Sequence, residues 1–125
     1  MNDRVNKPVH YTRHPSGVEC IEITQHMGFC LGNAVKYCWR SGQKEDEVED
    51  LLKAKWYANR AMTRPYMTHP IASSWDIHAK HQLHLFLAME EDGWRREAIR
   101  ALCYGEPLRA IQFIDRRLGQ TTEVV

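Results

Sequence analysis

The chain lacks a Cys-x-x-Cys pair, a glycine-rich phosphate loop, a long apolar run and a surplus of either charge, and each absence removes a class of protein. Its four cysteines, Cys20, Cys30, Cys38 and Cys103, have no framework spacing, so they read as reduced thiols, mostly buried as small hydrophobes. A zinc site built from Cys20, His26 and Cys30 has no standard ligand spacing behind it, although the last two stand one helical turn apart. The apolar stretches run for only a few residues, against the roughly 20 that span a bilayer. The stretch Met1-Asn2-Asp3-Arg4-Val5-Asn6-Lys7-Pro8 lacks the apolar centre of a secretion signal. No membrane partner is therefore expected. Seventeen Lys and Arg against sixteen Asp and Glu leave a formal charge of +1, which argues against a protein whose work is coating nucleic acid. Gly-x-x-x-x-Gly-Lys-Ser/Thr, Gly-x-Gly-x-x-Gly, Gly-x-Ser-x-Gly and His-Glu-x-x-His are all absent. Any phosphate chemistry must then use side-chain cations instead of a backbone nest. Strand signals are missing too, with no sustained alternation and no Asn-Gly turn.

What is present fits one domain of 125 residues, 43% hydrophobic and 26% charged, long enough to hold a core without staples. Pro8 and Pro15 suppress helix around themselves, so residues 1–15 are expected as an extended arm. Ser16 and Glu19 have the spacing of a capping box, opening a helix over about 18–27 that Gly28 ends. A second helix, 31–41, finishes at Gly42. A third, 47–64, is capped by Asp46 with Glu49 and stops at Pro65. Its Leu51, Ala54, Ala58 and Ala61 form a buried stripe. Residues 63–73 hold two prolines and read as a linker. A fourth helix is capped by Ser73 or Ser74 and runs to about 91, a fifth covers 94–103, and a sixth covers 108–118 with Gly119 closing it. Residues 120–125 are a tail. The expected fold is all-α, a compact bundle of five to six helices with an extended N-terminal arm. A faint internal echo aligns residues 52–60 with 108–116, a match that amphipathic helices also produce by chance.

The second helix carries Asn33, Lys36, Tyr37 and Arg40 on one side, and Lys44 follows it. A helix face of this kind is ordinarily just wet. Here two cations share it with an amide and a phenol and no carboxylate, a mixture that can hold a phosphate while contacting a base or sugar. The third helix offers Asp50, Lys53, Tyr57 and Arg60, spaced three, four and three. Asp50 is either an ion-pair partner or a base that orients a substrate hydroxyl. Trp56 beside it is expected in the core more readily than as a stacking platform. The arm contributes Asn6, His10 and Tyr11, groups able to hydrogen-bond and stack over the helices. Glu19 and Glu22 form a carboxylate pair that either closes a cap or holds Mg²⁺ with substrate phosphates. His78, His81 and His84 fan over about 120° of a helix, which suits a solvent-facing or subunit-facing row better than a metal site.

The ordered motifs Val5-Asn6-x-Pro8-x-His10-Tyr11, Gly17-x-Glu19-Cys20-Ile21, Gly32-Asn33-Ala34-Val35-Lys36-Tyr37-x-x-Arg40, Lys44 and Asp50-Leu51-x-Lys53-Ala54-x-Trp56-Tyr57-x-x-Arg60 together resemble a small family of tailed-phage and prophage proteins. That family is described as phage nucleotide kinase or as a domain of unknown function. The resemblance covers about residues 3–62. It implies phosphoryl transfer from a nucleoside triphosphate to a deoxynucleoside monophosphate without a P-loop, in the cytoplasm of an infected bacterial host. Phosphoryl transfer asks mainly for alignment and charge neutralisation, tasks that suit Lys36, Arg40, Lys44 and Lys53. Asn33, Tyr37 and Tyr57, with Asn6 and Tyr11 of the arm, would orient base or sugar. His10 would contact a phosphate or move a proton, and Glu19 or Asp50 would position the acceptor or a Mg²⁺. Two rival readings use the same chain: a non-catalytic nucleotide-binding or sequestering protein, and an adaptor that binds a host protein through Trp75, Phe86 and Trp94. Four Trp and five Tyr, spread over helices with broad apolar faces, predict a homo-oligomer that joins through the second half.

Overall fold

The computed structural model describes residues 14–43, 46–63, 70 and 77–122. Those residues are all α: α1 (Cys20–Thr24), α2 (Phe29–Arg40), α3 (Glu47–Thr63), α4 (Ile77–Met89), α5 (Gly93–Cys103) and α6 (Pro107–Thr122). The arm over 1–13, Ser73, Ser74 and Trp75, most of the 63–73 linker and the end of the tail lie outside the described residues. No helix among the described residues is long and apolar enough to cross a membrane.

The helix ends follow from local chemistry, and several differ from expectation. The first capping box forms three residues later than its sequence spacing indicates. The Glu19 N–H donates to Glu22 Oε2 at 2.7 Å, and the Glu19 carboxylate accepts from the Glu22 backbone N–H. Gly17 explains the shift: at φ +77° it cannot join a right-handed helix. Ser16 serves the preceding turn instead, its Oγ accepting from Val18 N at 3.1 Å and lying 2.6 Å from His14 Nδ1. α1 is also shorter than expected, because after Thr24 the backbone tightens, with His26 N and Met27 N each bonding three residues back. Gly28 then starts α2 as its N-cap. A Cβ on Gly32 would sit 3.4 Å from the Thr24 carbonyl, so a glycine there lets α1 and α2 pack closely.

At the far end of α2 the orphan carbonyls of the last turn each have a donor. Ser41 N bonds Tyr37 O, Ser41 Oγ and Arg95 Nε bond Cys38 O, Gln43 Nε2 bonds Trp39 O, and Gln43 N bonds Arg40 O. Asp46 Oδ1 accepts from Glu49 N at 3.1 Å. The Glu49 carboxylate pairs with Lys53 at 2.8 Å. α6 begins with Pro107, whose missing N–H costs nothing at a first helical position. It runs through Gly119 to Thr122, so Gly119 does not close it. A helical glycine costs about 1 kcal/mol, and Leu118 beside it is packed against the core.

Helices from both halves share one core. α2 pairs with α3 and α5 with α6; α2 packs on α5, α3 on α6, and α1 on α4. Trp39 and Phe86 stack at 4.0 Å in its centre, which removes Phe86 from any partner-binding surface. Trp94 is half-buried, with the Arg95 guanidinium 5.0 Å from its ring.

Candidate functional site

On α2 the buried positions are Leu31, Gly32, Ala34, Val35, Cys38 and Trp39. The opposite side carries Phe29, Asn33, Lys36, Tyr37 and Arg40. On α3 the buried stripe of Leu51, Ala54, Ala58 and Ala61 turns Lys53, Trp56, Tyr57 and Arg60 to the same side as that α2 face. Because the two helices pack against each other, their polar faces join.

Tyr37 is the centre of the joined face. Its ring lies parallel to Tyr57, 5.9 Å between centroids at 9°. Around it stand Lys36 Nζ at 5.4 Å, Arg40 Cζ at 5.5 Å and Lys53 Nζ at 5.5 Å. Two of these cations come from α2 and one from α3. Their carboxylate partners differ. Lys53 pairs with Glu49 at the exposed surface, and that contact raises its ammonium pKa. Arg40 Nε lies 3.4 Å from Asp50 Oδ1, an ion pair outside hydrogen-bond geometry that leaves a buried N–H unsatisfied. Lys36 has no ion-pair partner among the described residues.

Asp50 is 4% exposed. Burial pushes its carboxyl above the ordinary carboxylate range, and the nearby Arg40 and Lys53 charges pull part of that back. A buried carboxylate that loses solvent and gains a cation is held for position or for proton transfer.

Phe29, 73% exposed, meets Tyr57 edge-on at 5.9 Å, and Trp56, 60% exposed, meets it at 5.1 Å. The core placement expected for Trp56 is thus corrected: α3 buries Ala54 and Ala58, and Trp56 falls outside that arc. Phe29 went unnoticed in the sequence. The signal was there, since it precedes Asn33 by one helical turn and so shares the face of Lys36, Tyr37 and Arg40. Beside Phe29 a groove of about 270 Å³ opens between α1 and α2, with Asn33 and Lys36 on its edge. Asn33 itself donates to the Phe29 carbonyl at 2.8 Å.

Other sequence-selected groups sit elsewhere. The carboxylates of Glu19 and Glu22 are engaged in capping α1, and Glu22 also accepts from Gln82 Nε2 at 3.2 Å. His78, His81 and His84 are all exposed on α4. Among the described residues no three His, Cys, Asp or Glu side chains are grouped to hold a metal, so the Cys20–His26–Cys30 zinc site does not assemble. Asn6, His10, Tyr11 and Lys44 lie outside the described residues. The second polar cluster, unforeseen in the sequence, joins His14, Ser41, Glu90 and Arg95 inside the bundle.

No curated protein and no solved structure matches the chain. Residues 5–59, the stretch that supplies α1, α2 and most of α3, match the profile of a family described as a protein of unknown function, DUF3310.

Proposed function

We propose that the α2–α3 face binds a nucleoside phosphate, with the base against the Phe29–Tyr57–Trp56 corner and the phosphate among Lys36, Lys53 and Arg40. One observation carries the reading: three cations from two helices surround one phenol ring that is itself stacked on a second. Aromatic faces and cations in one patch match the two ends of a nucleotide. The Lys53–Glu49 pair is exposed on both sides, so water and salt screen it and it yields readily to a phosphate dianion. Arg40 is held more firmly by buried Asp50.

Phosphoryl transfer from a nucleoside triphosphate to a deoxynucleoside monophosphate is the activity that the family resemblance attaches to this face. Asp50 is then the group to accept the proton of the acceptor, its carboxyl raised in the direction that a general base needs. Calorimetry with dATP and dAMP tests the binding claim. Lys36→Ala and Lys53→Ala should each weaken binding by about tenfold, the scale of one charge-assisted contact. No heat with any nucleotide removes the proposal. A coupled assay separates the two activities. Turnover lost in Asp50→Asn with binding kept supports transfer, whereas binding with no product from any pair of nucleotides leaves a sequestering protein.

A further inference from the structure

The faint echo between 52–60 and 108–116 has a structural counterpart. The helices come in two triplets, and each member packs on its equivalent: α1 on α4, α2 on α5, α3 on α6. Like-on-like contact is the signature of an isologous, two-fold interface, here within one chain. The register agrees. Of six buried residues on each helix, five correspond: Leu31, Ala34, Val35, Cys38 and Trp39 on α2 fall on Arg95, Ala98, Ile99, Leu102 and Cys103 on α5, with Gly32 and Ala101 the exceptions. On the α3–α6 pair the alignment of the echo places buried Ala54 on buried Ala110 and buried Ala58 on buried Ile114.

The same two registers carry the α2–α3 site onto the second half. Asn33, Lys36, Tyr37 and Arg40 fall on Glu97, Arg100, Ala101 and Tyr104. Asp50 and Lys53 fall on Glu106 and Arg109. Among the described residues, those six counterparts line a groove of about 290 Å³ between α5 and α6. Charge type is kept at the Lys36/Arg100, Lys53/Arg109 and Asp50/Glu106 positions. The tyrosine moves by one helical turn, from position 37 to the counterpart of Arg40.

We infer that this α5–α6 groove is a second binding site for a phosphate-bearing ligand, equivalent in plan to the α2–α3 face. Arg100 and Arg109 take the phosphate. Tyr104, 46% exposed, offers its ring, and Arg100 and Tyr104 also border an adjoining hollow of about 350 Å³ floored by Leu87 and Ala88, with room for a base. Arg109 has no ion-pair partner among the described residues. It stands in the first turn of α6, where a cation opposes the helix dipole. A bound anion reverses that penalty. Glu97 neutralises Arg100 only in part, lying 3.8 Å from it while also 3.2 Å from Arg96.

The ligand class rests on the function proposed above; the existence of a second site does not. Calorimetry with dATP on the full chain separates them, using Arg100→Gln/Arg109→Gln and Lys36→Gln/Lys53→Gln, with circular dichroism melts confirming that each variant folds. Tyr104→Ala is the second probe of the α5–α6 groove, because it alters no charge. The expected result is two dATP per chain, one lost in each double variant, with Tyr104→Ala weakening the site that the arginine variant removes by at least threefold. A single site, lost with Lys36 and Lys53 and untouched by Arg100, Arg109 and Tyr104, overturns the second site and leaves the first. A single site lost only with Arg100 and Arg109 upholds the α5–α6 groove and overturns the α2–α3 proposal. No binding overturns both.

Discussion

Arg95 should be the most costly polar side chain to remove. It is 8% exposed, and its guanidinium spans two helices and a loop. Nε donates to Cys38 O at 2.9 Å, Nη2 to Ser41 O at 2.6 Å, and Nη1 reaches Asp92 and Glu90, the latter at 3.5 Å. Arg95→Met keeps most of the apolar stem but removes every donor, together with the guanidinium that lies over Trp94. The Ser41 carbonyl loses a charged partner, and the Glu90 carboxylate, 9% exposed, loses the guanidinium and keeps His14 at 3.5 Å and the Asp92 N–H at 3.1 Å. Asp92, 60% exposed, simply returns to water. Stranding a buried carboxylate costs about 3–5 kcal/mol, and the cut carbonyl bonds fall within that figure. With a urea slope of about 1.5 kcal/mol per M for a chain this size, the unfolding midpoint drops by about 2 M or more. Arg95→Lys cannot fork across both carbonyls and should lose roughly half as much. The decisive variant is Glu90→Gln/Arg95→Met: with no orphan charge left, it should be more stable than Arg95→Met alone. A loss below about 1 kcal/mol in Arg95→Met, or strictly additive losses in the double variant, refutes the reasoning.

His14 is packed 4.3 Å from Phe86 and 5.6 Å from Trp39. Burial lowers its pKa below 6.5, with Glu90 opposing and Arg95 reinforcing the shift. The folded state therefore binds fewer protons than the unfolded one, so the stability is complete above pH 6.5 and declines as pH falls below it. His14→Gln should flatten that decline in urea titrations from pH 7.5 to 5, and an unchanged slope contradicts the assignment. Burial pushes the Cys20 and Cys38 thiols up to about 12 and Cys103 higher still. A thiol reagent at pH 8 should then label only half-buried Cys30 quickly in the native protein and all four after unfolding. Fast labelling of a second thiol would show that the core opens locally. Nucleotide bound at the α2–α3 face should quench the fluorescence of exposed Trp56, and Trp56→Phe should abolish the change; quenching that survives this substitution places the ligand elsewhere.

The sequence made the helices legible because their buried stripes are written in small and branched residues: Leu51, Ala54, Ala58 and Ala61 fix the inner side of α3 without reference to anything distant. Helix ends were less legible. Ser16 and Glu19 have the spacing of a cap, but whether that cap forms depends on the φ of Gly17, which spacing does not encode. Gly28 and Gly119 show the same limit, one starting a helix it was expected to end and the other lying inside one. The Arg40–Asp50 pair and the Arg95 bonds to the Cys38 and Ser41 carbonyls join residues whose proximity arises only when α2, α3 and α5 pack. Trp56 shows how composition misleads, since a large aromatic is usually a core residue, but its angular position between Ala54 and Ala58 already placed it off the buried arc.

That position bears on why the face exists. α2 and α3 already bury enough to dock on each other and on α5 and α6, so their outer sides are free to be fully polar. Instead they carry Phe29 and Trp56 at 73% and 60% exposure, with Leu52 at 53%. Apolar side chains left in water in one patch forgo about 1.5–3 kcal/mol each that burial would provide. On the second half the aligned positions of Trp56 and Tyr57 hold Gln112 and Phe113, and Lys36 and Lys53 become arginines. The two halves thus divide the chemistry of a nucleotide unequally, rings on the first and forked cations on the second. Binding at the α5–α6 groove, where two cations meet the phosphate, should then weaken less steeply with added salt than binding at the α2–α3 face, where three do, because screening acts on charge pairs and leaves stacking almost untouched. A steeper slope at the α5–α6 groove would mean that Lys36, Lys53 and Arg40 do not act together on the ligand.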